Sequence, residues 1–191
     1  MNSISRISAL ILLLISFSLT SFSATPTHTF EGPDYLVGRT EQGAFPLIEA
    51  GQVPPLWVAA NEHPGVQRVA SHFQNDLAMV SGTRPGLHLG EQEAVPRVVV
   101  IGTLGQSALI DHLVAEGKLQ VNDLQGQWEA SSIQVVENAF DGVEQALVIV
   151  GSDKRGTIYG MFDLSARMGV SPWYWWADVP VVKQERLYVK A

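Results

Sequence analysis

The chain contains no cysteine. That removes disulfides, thiol nucleophiles and thiolate-held metals together, and leaves stability to the core alone. Basic residues are also scarce: 12 Lys and Arg stand against 19 Asp and Glu, for a net charge of −7 in 191 residues. Nucleic-acid binding draws on a basic surface, and no cluster of Lys and Arg opposes the exclusion. No apolar run reaches the ~20 residues of a comfortable membrane span. The motifs HExxH, G-x-S-x-G, G-x-G-x-x-G and the phosphate-loop pattern are all missing. The five histidines, His28, His63, His72, His88 and His112, show no metal-ligand spacing. No metal and no cofactor is expected.

What remains is the composition of one ordinary globular domain, 46% hydrophobic and 16% charged. Residues 1–24 read as a signal peptide: Arg6 supplies the positive start, Ile7 to Leu19 an apolar segment, and Ser21, Ser23 and Ala24 small residues for cleavage. Its rival is an uncleaved anchor. Export to the periplasm or the medium is the expectation, with no stable membrane span once the segment is removed. Residues 25–43 are polar and mixed, an extended arm. Residues 44–180 carry the alternating pattern of a domain, and 181–191 read as a linker.

Within that domain, Phe45–Ile48 and Leu56–Ala60 read as strands. Pro46 confines the first to a sheet edge or a strand start. Val66, Val69, Ala70, Phe73, Leu77 and Val80 form a stripe at helical spacing, opened by Asn61 and Pro64 and closed by Ser81-Gly82. Thr83 to Pro96 reads as an exposed loop. Arg97–Ile101 (RVVVI) is apolar through its middle, as a central strand is. A helix over about 107–116, strands around 128–136 and 146–150 joined by an Asp141-Gly142 turn, and a last helix complete the order. The expectation is an α/β (α+β-like) fold: a mixed sheet of about five strands, with about three helices and one antiparallel hairpin.

The organising stretch is Gly151–Pro180, GSDKRGTIYG-MFDLSARMGV-SPWYWWADVP. Ser152 or Asp153 can cap the helix. Ile158, Met161, Phe162, Ser165 and Met168 share one face, and Gly169 and Pro172 stop it. Gly156 and Gly160 permit close packing on the sheet. This stretch resembles the signature of glycoside hydrolase family 115, the xylan α-1,2-glucuronidases. The likeness spans roughly Phe45 to Pro180, taking in Asn61, Pro64-Gly65-Val66, Gly126-Gln127-Trp128-Glu129 and Ile133–Val136. The resemblance implies an N-terminal, hexosaminidase-type accessory domain of an exported glycosidase, with the catalytic carboxylates in a TIM barrel elsewhere. A barrel alone takes about 250 residues, so 191 cannot hold one. By that reading the chain carries no catalytic residue and is inactive alone. Its partners are the barrel and, in the full enzyme, glucuronoxylan.

Two polar or aromatic groups remain candidates. In Asp153-Lys154-Arg155, two cations enter a first helical turn against the helix dipole. They either face a uronic-acid carboxylate or an acidic patch of the barrel, or they pair with local acids. Trp173, Tyr174, Trp175 and Trp176 form either a sugar-stacking platform or a wedge between domains. The platform belongs to a different function class, a stand-alone carbohydrate-binding or scaffold module without catalysis. A third, weaker option uses Gly102–Gly105, after a buried strand, as an anion-binding loop.

Overall fold

A computed structural model describes residues 34–90 and 93–191, with the side chain of Trp175 excepted. The signal-peptide reading of 1–24 and residues 25–33 of the expected arm therefore lie outside the described residues. The core of the fold is a five-stranded sheet built from β3 (Leu56–Val58), β4 (Leu87–Leu89), β5 (Arg97–Thr103), β6 (Ser131–Phe140) and β7 (Val143–Gly151). Its order is β4-β3-β5-β7-β6. The first four run parallel, and β6 is antiparallel to β7 across the expected hairpin.

The apolar runs of β5 and β7 bury both their faces, which is why they read as unbroken Val, Ile and Leu. Val99, Ile101, Leu147 and Ile149 point into one core, and Val98, Val100, Ala146, Val148 and Val150 into the other. Helices α1 (Pro64–Ser81) and α3 (Lys154–Arg167) pack side by side over the first core. Helix α2 (Ala108–Ala115) covers the second with Leu109, Ile110 and Leu113. The stripe foreseen for α1 is buried at Val66, Ala70, Phe73, Leu77 and Val80. Gly82 ends that helix in the left-handed conformation, its N–H bonded to the Ala78 carbonyl.

A second sheet was not foreseen. β1 (Leu36–Val37), β2 (Phe45–Glu49) and β8 (Arg186–Val189) form it in the order β1-β8-β2, all antiparallel. Leu36, Phe45, Leu47, Ile48, Leu187 and Val189 close the first core from outside. The segment read as a linker, 181–191, thus contains the central strand of this sheet. Leu187, Tyr188 and Val189 are buried there, a pairing partner for strands far back in sequence that no local pattern announces. β2 takes an edge, as Pro46 requires, with a register shift between Pro46 and Ile48. The loop expected over 83–96 likewise holds the short edge strand β4.

One face was misjudged. The expected buried stripe of α3 included Phe162, which lies exposed. The helix is rolled so that Gly156, Thr157, Gly160, Met161, Leu164 and Ser165 face inward. The glycines decide this. A Cβ on Gly156 would stand 2.1 Å from the carbonyl oxygen of Ala130, and one on Gly160 2.9 Å from Ile149 Cγ2. The helix therefore sits closer to the sheet than any side chain there would allow, with these two residues at the contact. No helix of the described residues is long and apolar enough to cross a membrane.

Candidate functional site

Open α/β sheets bind ligands beyond the carboxyl ends of their strands, where successive connections leave to opposite faces. Here that place lies between β3 and β5, since α1 leaves to one face and α2 to the other. The turn after β5 has no backbone donor to spare. Thr103 N–H donates to Glu62 Oε2 at 2.7 Å, Leu104 N–H to the Gly151 carbonyl at 3.0 Å, and Gly105 N–H to Asp111 Oδ1 at 2.9 Å. Gln106 and Ser107 N–H both go to the Thr103 carbonyl. Asn61 Nδ2 donates to the Gln106 carbonyl at 2.6 Å. Glu62 is only 3% exposed and spends its other oxygen on the N–H of His63 at 2.7 Å. An anion held by Gly102–Gly105 is therefore excluded: a carboxylate of the chain already occupies the position. The depression beside it, about 410 Å³, is lined by residues such as Ala59, Ala60, Asn61, Leu89 and Ala108, with no ionisable group among the described residues of its wall.

The GSDKRG turn is organised around Asp153. Its Oδ1 accepts the N–H of Gly156 at 2.8 Å, and its Oδ2 the N–H of Glu129 at 3.0 Å. These two bonds hold its carboxyl below the usual range. Asp153 is thus the helix cap, and it also ties the loop before β6 to the start of α3. Ser152 adds two more ties, its N–H to the Ala130 carbonyl and its Oγ to the Ala130 N–H. Gly151 fits only as glycine, because a Cβ would meet Thr157 N at 2.0 Å. Thr157 in turn shares a buried hydroxyl contact with Thr103 at 2.8 Å.

Arg155 pairs with Glu129 at 2.8 Å and donates to the Tyr159 hydroxyl at 2.8 Å, with its guanidinium 5.7 Å from the Tyr159 ring. The Tyr159 bond first, and the Glu129 charge second, raise its pKa above the ordinary arginine value. Asp153 and Glu129 thus answer the dipole conflict noted for two cations in this turn. Lys154 is exposed, with its stem over Gly65 of α1.

The candidates Asp153, Lys154 and Arg155 sit together, but Trp173 and Trp176 do not join them. Those lie in α4 (Tyr174–Ala177) and its cap, beyond the far end of α3, whose 14 residues span about 21 Å. Both are exposed. What sequence reasoning missed is Trp128. It stands exposed on the loop pinned by Asp153 and Ser152, next to Glu129, which holds a left-handed φ of 55°. Such a conformation persists in a non-glycine residue only where surroundings enforce it; here the backbone bond to Asp153 and the ion pair to Arg155 do so. Among the described residues no group of three or more His, Asp or Glu could hold a metal.

A scan of family models finds no match, and neither does a search of curated proteins. Among solved structures, the chain is similar to a family GH115 4-O-methyl-α-glucuronidase with specificity for decorated arabinogalactans. Identity is 32%, the TM-score is 0.57, and the match covers 74% of this chain. The relationship is GH115-like. It extends over 17% of the length of that glucuronidase, so the domain described here corresponds to a small part of a glycoside hydrolase.

Proposed function

We propose that this chain is the N-terminal, non-catalytic α/β domain of an exported glycoside hydrolase that removes glucuronic or 4-O-methylglucuronic acid from a polysaccharide such as glucuronoxylan. The observation that carries this is the partial coverage: three quarters of this chain matches about one sixth of a GH115 glucuronidase. The filled strand-end crevice supports it, because the usual ligand position of such a sheet is taken by Glu62. Family members invert the anomeric centre with a carboxylic acid and a carboxylate-activated water, and in this reading a barrel domain supplies both. The export step rests on the sequence of residues 1–24.

The test is direct. The purified 191-residue chain should release no uronic acid from glucuronoxylan or from a decorated arabinogalactan, and release by the chain alone overturns the reading. A second reading, a carbohydrate-binding module without catalysis, draws on the exposure of Trp128 and Trp176. It requires saturable quenching of tryptophan fluorescence by xylan oligosaccharides in the isolated chain. The first reading expects none.

A further inference from the structure

Helices α1 and α3 lie side by side on one face of the sheet, yet they meet water differently. Residues three and four apart share a helix face. The outer row of α1 is Arg68, His72 and Asn75, all polar and exposed. The outer row of α3 is Arg155, Tyr159, Phe162 and Ala166. Tyr159 is 41% and Phe162 50% exposed. At the start of this row stands Trp128, 89% exposed, beside the Glu129–Arg155 pair. Beyond its end come Trp173 and Trp176, 62% and 84% exposed. α3 is therefore apolar on both sides, one toward the sheet and one toward solvent.

We propose that the outer row of α3, bracketed by Trp128 and by Trp173 and Trp176, is the face on which this domain packs against the catalytic domain of its enzyme. The inference rests on the function proposed above and names the surface that function needs. Three arguments select the occupant. The first is size. At about 200 Å² for a whole aromatic side chain, Trp128, Tyr159 and Phe162 leave roughly 360 Å² in water and Trp173 and Trp176 beyond the helix end roughly 290 Å² more, against the ~800 Å² each partner contributes to a standard interface. The second is shape. A helix flank is convex, whereas small-ligand and sugar sites are concave, so a protein surface suits it better than a saccharide. The third is supply. The similar glucuronidase carries this fold as 17% of its chain, so a large body of the same polypeptide is available to cover the row. The composition agrees: interfaces favour aromatic residues and arginine in their centre, with charge toward the rim. The polar row of α1 is left outside the contact.

The chain itself has no cysteine, so an introduced thiol is the only one in it, and in the fusion its labelling is read on the peptide that carries it. Phe162→Cys and His72→Cys are made separately, in the chain alone and in a fusion where the chain replaces its counterpart in the GH115 glucuronidase named above. Maleimide labelling rates are then compared. In the isolated chain both thiols should react at similar rates. In the fusion, the Phe162→Cys rate should fall at least tenfold while His72→Cys stays unchanged. An active fusion with Phe162→Cys still reactive sinks this inference alone. A fusion with neither activity nor protection sinks the functional reading beneath it. Protection of Phe162→Cys in the isolated chain that persists on dilution, where weak self-association is lost, also overturns the inference, because then a stable second copy, or the residues before 34, already covers the row. As an independent check on the chain itself, sedimentation should show weak self-association that rises with concentration and is abolished by Tyr159→Lys with Phe162→Lys but not by Arg68→Glu. Monomeric behaviour without any such difference counts against it.

Discussion

The carboxyl edge of the sheet and the outer flank of α3 are opposites. At the edge, the backbone donors from Thr103 to Ser107 all have a partner within the chain, and Glu62 sits where a ligand's charge would sit. On the flank, large rings are exposed among the described residues, with only Arg155 laid over one of them, Tyr159. The first region is complete by itself and the second is not. A fold that commonly binds small ligands at its strand ends has here closed that place and put its unsatisfied surface elsewhere. The difference separates residues that hold the domain together from residues kept for something outside it, and mutation can measure the division.

The largest effect is expected at the edge. Glu62→Ala strands the buried N–H of Thr103 and the partly buried N–H of His63, at about 1–3 kcal/mol for each orphaned donor. A total near 3 kcal/mol should appear in urea denaturation of the isolated chain, and a loss under 1 kcal/mol would mean that water takes over the role of the carboxylate. Next comes Gly156→Ala. The new methyl meets a backbone carbonyl that cannot swing aside, so a loss of about 2–3 kcal/mol is expected. Gly65→Ala on α1 has its nearest neighbour at 3.8 Å, on the flexible stem of Lys154, and should be neutral or slightly stabilising. Equal melting temperatures for the two variants would contradict the close helix-to-sheet approach.

Asp153→Ala should cost about 1 kcal/mol through the lost cap. Its pH dependence gives the sign. The folded pKa lies below the ordinary 3.8, so the charged group's contribution is present above that value and is lost as pH falls through the folded pKa. The stability gap between the wild type and Asp153→Asn, which keeps a capping oxygen, should shrink in that acid range and be flat from pH 5 to 8. A gap that widens on acidification refutes the assignment. The smallest effect belongs to the flank: Phe162→Ala should change the stability of the isolated chain by no more than about 0.5 kcal/mol, as surface substitutions do. A loss beyond 1 kcal/mol would move Phe162 into the domain's own core and erase the contrast.

Much of the five-stranded sheet was legible because its signals are local. The 3.6-residue stripe of α1, the unbroken apolar run of β5, the Asp141-Gly142 turn and the Asp153 cap each lie within a few residues of what they specify. β4 was not legible, since three residues cannot show a period. Nor was β8, whose partners lie far upstream. The roll of α3 was misread for a different reason. Apolar spacing pointed to a face that includes Phe162, but the contact is set by Gly156 and Gly160, roughly 120–160° round the helix from it. Where a helix is apolar on two sides, hydrophobicity cannot choose between them, and the missing side chains do. The Trp173–Trp176 cluster announced itself by density, whereas Trp128 and Tyr159 gave no signal: exposure of a lone ring depends on what the rest of the chain leaves uncovered.

The place of β8 also has a bearing on biosynthesis. β1 and β2 share no ladder with each other; each is hydrogen-bonded to β8, and Leu36 waits some 150 residues for Val189. As the ribosome extends the chain, two apolar segments travel without their mate until the region past Glu185 has emerged. Pairings of such long range close slowly, and unpaired strands of this kind are open to misassociation until their mate arrives.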